Sequence, residues 1–410
     1  MKSRIGYLIP QFPGQTHIFF WRERQVLTEL EIDTELISTR RPLQALASHD
    51  WAETAQQQTA YLLPFQAADW LRALGQILQA GPIGWFRCLK VVIEARDLSF
   101  LQRLKLLAIL PVAGKLVWVM KTKGLTHVHI HSCAEAANIG MFASILAGLS
   151  YSLTLHGPTL EVYGVNQPLK WKYSSFAVVI SQTLYDYVQR VLQGFLPQQV
   201  VVAPMGVNLT EIKRLQPYQA AVPGQPCRIF ACGRLNRVKG HQDLMLALAQ
   251  LRQRGFDASL EIAGEDEQGG LGYRQELEQF IQTQGLADHV KLLGAVSEER
   301  IRQGLEAAHV FALASLNEGV PVAVMEAMAM ELPIVVTQVG GNAELVDTDV
   351  DGILVPAENP TAMADQIARV LQDPELAQRL SQAARHKVLE KFHHRRSAEA
   401  IATCLEAVAG

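Results

Sequence analysis

Residues 310–330 constrain the fold more than any other stretch of the chain. Val310-Phe311-Ala312-Leu313-Ala314 is short and wholly apolar, the mark of a strand buried on both faces of a parallel sheet. A turn follows, Ser315-Leu316-Asn317-Glu318-Gly319-Val320, and the spacing then predicts a helix over 321–330. Pro321 suits the first helical position, where its missing N–H would be unpaired in any case. Glu318 therefore lies in the loop at a strand's carboxyl end, with Glu326 inside the next helix. Open parallel sheets bind ligands at that end. Exposed N–H groups at the helix start, approached through Gly319, form a phosphate site, and the two carboxylates can each accept a pair of hydroxyls. A sugar nucleotide meets those demands. The other reading is that the acids merely complement the helix dipole, and spacing alone does not separate the two.

The same alternation recurs along the 410 residues. Residues 5–9 read as a strand, 10–14 as a turn, 18–30 as a helix and 34–38 as the next strand, a βαβ unit. Gly14, Gln15 and Thr16 then sit at a carboxyl end, as substrate-contacting backbone or as a plain turn. The apolar run 151–155 ends in His156-Gly157-Pro158-Thr159, and 177–180 ends in Ser181. A polar, proline-bearing stretch at 210–225 is the expected linker. A second α/β unit opens at 228–232, followed by Gly233-Arg234-Leu235-Asn236-Arg237-Val238-Lys239-Gly240. Gly233 permits a close turn, and Arg234, Arg237 and Lys239 place cations where a diphosphate would sit. Read as ordinary surface charges, they need no ligand. Gly264 and Gly294 mark later strand ends. Length supports two or three domains. The expected division is 1–209, a linker at 210–225, 226–388, and a helical tail at 389–410.

Composition narrows the classes. The chain is 49% hydrophobic and 19% charged with a net charge of -3, far from the basic excess of a dedicated nucleic-acid binder. Cys88, Cys133, Cys227, Cys232 and Cys404 are scattered without a C-x-x-C pair, so a reducing, cytoplasmic setting is expected. No secretory leader is expected, because the apolar run at 5–9 is short and Pro10 ends it. The longest apolar stretch, 100–120, carries Arg103, Lys105, Pro111 and Lys115, which disfavours a spanning helix. Residues 66–125 differ in character: nine cations stand against Asp69, Glu94 and Asp97, interleaved with Trp70, Trp85, Phe86 and Trp118. Two readings stay open there, a peripheral surface resting on an anionic membrane leaflet and a solvated helix face with core aromatics. His127, His129 and His131 alternate and would share one face of a strand, but a metal site would also need a cavity and a nearby carboxylate.

Taken together, several motifs resemble the retaining glycosyltransferases of family 4 in order and spacing. They are Gly233-Arg234 with Lys239-Gly240, Ile262-Ala263-Gly264, Glu318-Gly319-Val320-Pro321 through Glu326-Ala327-Met328-Ala329, and Gly340-Gly341-Asn342-Ala343-Glu344. Phe12-Pro13-Gly14-Gln15-Thr16, the alternating histidines and Ser152-Leu153-Thr154-Leu155-His156-Gly157 resemble the colanic-acid and exopolysaccharide branch.

That resemblance implies an α/β chain of GT-B architecture, two Rossmann-like domains with parallel sheets facing a cleft. The acceptor would bind the first domain and a nucleotide-diphosphate sugar, UDP- or GDP-linked, the second. Residues 389–410 would cross back to the first domain, and neither a metal nor another cofactor is implied. Arg234 and Lys239 would grip the diphosphate and stabilise its departing charge, with the leaving oxygen taking the acceptor's proton. Glu326 would accept the ribose hydroxyls, and Glu318 would hold the donor sugar or its reaction centre. Gly319 and Val320 would offer backbone N–H groups, with Gly233, Gly264 and Gly294 also on the donor side. His156 would approach the sugar from the opposite domain. Gly14, Gln15 and Thr16 would face the acceptor, a polysaccharide or lipid-linked saccharide. Three other readings remain. Paired carboxylates could hydrolyse a glycoside, which leaves the cations unexplained. The chain could instead bind sugar nucleotide as a non-catalytic partner of another transferase, or resemble a phosphorylase that carries pyridoxal phosphate on a lysine.

Overall fold

The structure, a computed structural model, describes residues 3–14, 17–43, 51–157 and 159–409. Gln15, Thr16 and Pro158 lie outside the described residues. Among those described, the first half forms strands β1 (Ser3–Gln11), β2 (Ile32–Arg40), β3 (Ala60–Tyr61), β4 (His127–Ile130), β5 (Ser150–Leu155), β6 (Ala177–Val179) and β7 (Val200–Val202). The second half forms β8 (Cys227–Cys232), β9 (Ala258–Ala263), β10 (Val290–Gly294), β11 (Val310–Leu313), β12 (Ile334–Thr337) and β13 (Ile353–Val355).

Two sheets result, ordered β3-β2-β1-β4-β5-β6-β7 and β10-β9-β8-β11-β12-β13. Every pairing within them is parallel. Runs such as Val310–Leu313 and Ile334–Thr337 are buried at each residue, as strands covered by helices on both faces must be. In each sheet the strand order reverses beside the first strand, at β1/β4 and β8/β11, and the crevice outside such a switch point is where open sheets hold ligands. Two Rossmann-like domains face each other in the GT-B arrangement. The helix after β11 is Val322–Ala329, with Pro321 just outside it in an extended conformation (φ -74, ψ 116). Proline caps this helix rather than opening it, because ψ in the extended range is what turns the chain out of the Glu318 loop.

The chain crosses between domains twice, side by side. Val207 N donates to Phe392 O at 2.9 Å and His394 N donates to Val207 O at 3.2 Å. The helix Arg395–Ala409 then packs on the first domain, its Ala398, Ile401 and Cys404 sharing a core with Tyr7, Phe20, Val26 and Leu27. The expected linker is partly pinned rather than free. Arg214 Nη1 donates to Met330 O at 3.1 Å, and Tyr218 Oη donates to His309 O at 2.8 Å. Carbonyls left over at the ends of the second domain's elements attract these donors.

Four helices fill the connection from β3 to β4: Ala67–Gln79, Gly81–Glu94, Phe100–Leu107 and Leu110–Thr122. Buried Lys115 reaches Asp69 at 2.7 Å and pins the first to the last. Trp118 is half-buried, but Trp70, Trp85 and Phe86 are exposed, so the reading of these three as core aromatics is corrected. Among the described residues no helix is long and apolar enough to cross a membrane.

Candidate active site

A cleft of about 280 Å³ lies between the domains at the carboxyl ends of both sheets. Gly233, Arg234, Lys239, Glu318, Gly319, Val320 and Glu326 line it from the second domain, and His156, Ile18 and Phe19 from the first.

The second domain builds its side from loops that pack backbone to backbone. After β8 the chain turns at Gly233 into a short helical turn, Arg237–Lys239, capped by Asn236, whose Oδ1 accepts from Lys239 N at 3.2 Å. Gly240 follows with φ +60, and a side chain there would meet Ala314 O at 1.9 Å. Glycine takes that conformation without strain, and only glycine allows that approach. The contact carries the Lys239 loop onto the end of β11, where Lys239 Nζ reaches Glu318 Oε1 at 2.6 Å. Ser315 Oγ donates to the same oxygen at 2.7 Å. Glu318 is buried, so a cation and a hydroxyl offset its desolvation. Arg234 is more exposed and pairs with Glu267 at 2.9 Å.

Glu326 projects from the helix after Pro321 toward the first domain. Arg22, on the helix Ile18–Glu29, is buried and meets three carboxylates: Glu298 at 3.0 Å, Glu211 at 3.4 Å and Glu326 at 3.5 Å. Trp51 Nε1 also donates to Glu298 Oε1 at 3.1 Å. Burial raises the Glu326 pKa above its ordinary 4.5; Arg22 opposes the shift and Glu298 adds to it. The domains also meet at Gly319, where a side chain would lie 2.5 Å from His156 O.

On the first domain's side, His156 belongs to a buried polar chain. Its Nε2 lies 3.0 Å from His131 Nδ1, and His131 Nε2 lies 3.0 Å from Glu23 Oε2. Tyr7 Oη donates to that same Glu23 oxygen at 2.5 Å. Burial pushes His156 down to about 3 and holds His131 well below the usual histidine value. Both rings are then neutral near pH 7, so each carries one donor and one acceptor nitrogen. Of the facing nitrogens His131 Nδ1 and His156 Nε2, one donates and the other accepts.

His127 and His129 do share a strand face with His131, but hydroxyls on β5 meet them. His127 sits between Ser150 and Ser152 at 2.7 and 2.8 Å, and His129 between Ser152 and Thr154 at 2.7 and 2.8 Å. Among the described residues no cluster of histidine, cysteine and carboxylate could hold a metal ion.

Other residues singled out from the sequence stand back from the cleft. Gly264 N donates to Gly294 O at 2.9 Å, and Gly233 N donates to Ala263 O at 2.9 Å. Gly264 and Gly294 therefore brace the Gly233 turn from behind rather than line the cleft. Gly14 accepts from His17 N at 3.0 Å and does not line it either, while Gln15 and Thr16 lie outside the described residues. Sequence reasoning missed Arg22, Glu23 and Glu298. The signal for Glu23 was present: it falls on the helix face of Phe20, Val26 and Leu27, and an acid on a core face needs a buried partner.

Comparison with known proteins gives four findings. The family model described as "Glycosyl transferases group 1" matches residues 213–387. The chain is 31% identical to the putative colanic acid biosynthesis glycosyltransferase WcaL of Escherichia coli over 219 residues, 52% of each protein. That match spans about half of the relative's length. A broader one is 30% identity over 303 residues to a D-inositol 3-phosphate glycosyltransferase of Saccharomonospora viridis, covering 71% of this chain and 67% of that protein. Among solved structures, Anabaena HepE in complex with UDP-glucose superposes with a TM-score of 0.74 at 18% identity, over 98% of this chain and 99% of that one. At that identity the likeness is one of fold. With matches of this breadth and the motif residues gathered in one interdomain cleft, the chain belongs to the group 1 glycosyl transferases.

Proposed function

We propose that the protein is a retaining glycosyltransferase that moves a sugar from a nucleotide-diphosphate sugar to a polysaccharide or lipid-linked saccharide. The observation that carries this reading is the Lys239–Glu318 pair, 2.6 Å apart beside Gly233, Arg234 and Glu326 in one cleft. A diphosphate laid against Gly233 draws Lys239 from one side and Arg234 from the other. Arg234 gives up only an exposed pair with Glu267, which costs about 0–1 kcal/mol. Cations fixed where charge develops lower the barrier without reorganising as the bond breaks. No metal is needed for that task. Glu326 accepts the ribose hydroxyls, sharing itself between them and Arg22. Glu318, freed in part from Lys239, holds hydroxyls of the transferred sugar. His156 faces the sugar from the acceptor side, and the departing phosphate oxygen removes the acceptor's proton on the same face. HepE was solved with UDP-glucose, which makes a UDP-sugar the first donor to try.

The test is thermal-shift stabilisation against UDP-, GDP- and ADP-sugars, each with and without chelator, followed by proton NMR of the anomeric centre in any product. A selective, chelator-insensitive shift and a product of unchanged anomeric configuration are expected. Inverted product would overturn retention, and binding with no turnover on any acceptor would favour a non-catalytic partner.

A further inference from the structure

The helices Ala67–Gln79, Gly81–Glu94 and Phe100–Leu107 each turn an apolar stripe to solvent. Trp70, Leu74 and Leu78 recur every four residues on the first; Ile83 and Phe86 continue the surface on the second, and Phe100 and Leu101 on the third. In all, twelve large apolar side chains on these helices are 43% to 75% exposed. Together they expose on the order of 1,000 Å² of apolar surface, beyond the ~300–600 Å² largest patch of a typical monomer. An amphipathic helix normally buries such a stripe.

Charge says what the stripe meets. Residues 66–107 carry six cations against three acids in a chain whose net charge is -3. Arg87, Lys90, Arg96 and Lys105 are exposed beside the apolar residues. Of the acids, Asp69 is buried against Lys115, and Glu94 lies 3.6 Å from Lys90. A second copy of this face is a poor occupant, because a twofold contact sets the same cations against themselves. Aromatic and aliphatic tips fringed by lysine and arginine suit a lipid interface with anionic headgroups.

The patch also begins beside the acceptor side of the cleft. The chain enters the first of these helices four residues after Leu62-Leu63, just past the carboxyl end of β3, and Tyr61 Oη donates to Phe12 O at 3.0 Å, beside the end of β1. We propose that these three helices dock the protein on an anionic membrane leaflet, apolar tips in the interface and cations on the headgroups. The inference stands apart from the donor reading, since none of these side chains lines the cleft.

The test is flotation of the full chain with vesicles of phosphatidylcholine alone and of phosphatidylcholine with phosphatidylglycerol. Binding to the anionic vesicles only is expected, falling as salt rises from about 0.05 M to about 0.5 M. Arg87→Glu with Lys90→Glu, and separately Leu71→Ser with Phe86→Ser and Phe100→Ser, should each weaken it at least tenfold. These exposed positions should leave the melting temperature and any nucleotide-sugar shift unchanged. No flotation of the unmodified chain, or flotation indifferent to both variants, would overturn the proposal. A dimer in sedimentation that the same variants dissolve would overturn it too, by giving the face to a second copy.

Discussion

Arg22 Nη1 lies 3.5 Å from Glu326 Oε1, joining two residues 304 positions apart and on opposite sides of the cleft. Arg22 also holds Glu298 and Glu211, so one buried cation serves three carboxylates from outside its own domain. Replacing it leaves Glu326, the largely buried one of the three, without its cation, while Glu298 and Glu211 keep their contact with water. Arg22→Ala should cost about 1–2 kcal/mol, because only one of its three partners is largely buried, and lower the melting temperature by a few degrees. The variant should also raise the Glu326 pKa further, since Arg22 is what opposes the shift. A melting temperature unchanged by the substitution would mean that the three contacts contribute little in solution.

Lys239 and Glu318 test the chemistry more directly. Lys239→Ala removes the cation proposed to grip the diphosphate and strips Glu318 of its ion pair, leaving the Ser315 hydrogen bond. Turnover should fall about 10²–10³-fold. Glu318→Gln in the same chain should recover stability, because no unpaired carboxylate is left, but no activity. Recovery of both would show that Lys239 acts only by neutralising Glu318. Stability and kcat/KM of the two single variants and the double variant separate these outcomes.

The same residues show how far sequence carries. Lys239, Glu318 and Glu326 were legible as cleft residues because strand, glycine turn and helix start are local: their order places Lys239 and Glu318 in loops at carboxyl ends and Glu326 inside the helix that follows. The histidine alternation was legible as a shared strand face, whereas its hydroxyl partners on β5 depend on register. Pro321 missed its expected place by one residue, since propensity does not say where the loop's extended backbone stops. Arg22 was not legible. Its three partners come from outside the first domain, and no local pattern encodes how two separately formed sheets come together. Residues 66–107 were half legible, because periodicity shows an apolar stripe and says nothing of what covers it.

Buried histidines predict an acid limit to stability. Burial takes His127 down to about 4 and His156 to about 3, with His129 and His131 held well below their usual value. An unfolded chain protonates these rings near pH 6.5, while the folded one refuses the protons until far lower pH. Between those limits the unfolded state binds more protons, so stability falls as pH drops below about 6.5, by up to ~1.4 kcal/mol per ring per pH unit. Glu326 acts in the opposite sense just above pH 4.5, where the folded state keeps a proton that the unfolded state has lost. One group against four does not reverse the slope. The urea midpoint should drop steeply between about pH 7 and about pH 5, and a flat profile would mean the rings titrate as if exposed.

Glu344 predicts a measurable change in how the domains hold together. Its carboxylate comes from the second domain and accepts from Gln182 N at 2.8 Å and Thr183 N at 2.7 Å. Those are the first two N–H groups of the helix Gln182–Val191 in the first domain, and Ser181 Oγ takes a third, from Leu184 N at 3.1 Å. A carboxylate at a helix start gains both from the unpaired donors and from the dipole. Each bond is charge-assisted but lies in reach of water, so Glu344→Ala should weaken closure by about 1–2 kcal/mol. At 1.4 kcal/mol per factor of ten, that shifts an open–closed equilibrium about five- to thirtyfold toward open. The backbone at Gly319 lies close to His156 O in the same closed arrangement, so opening separates the Gly319 loop from His156. Small-angle scattering should show a larger radius of gyration for Glu344→Ala, with kcat/KM reduced and nucleotide affinity little changed, because the proposed nucleotide contacts lie in the second domain. Glu344→Gln keeps one acceptor oxygen and should fall between. If Glu344→Ala scatters and turns over like the unmodified chain, closure rests on Arg22 and the crossing at Val207 instead.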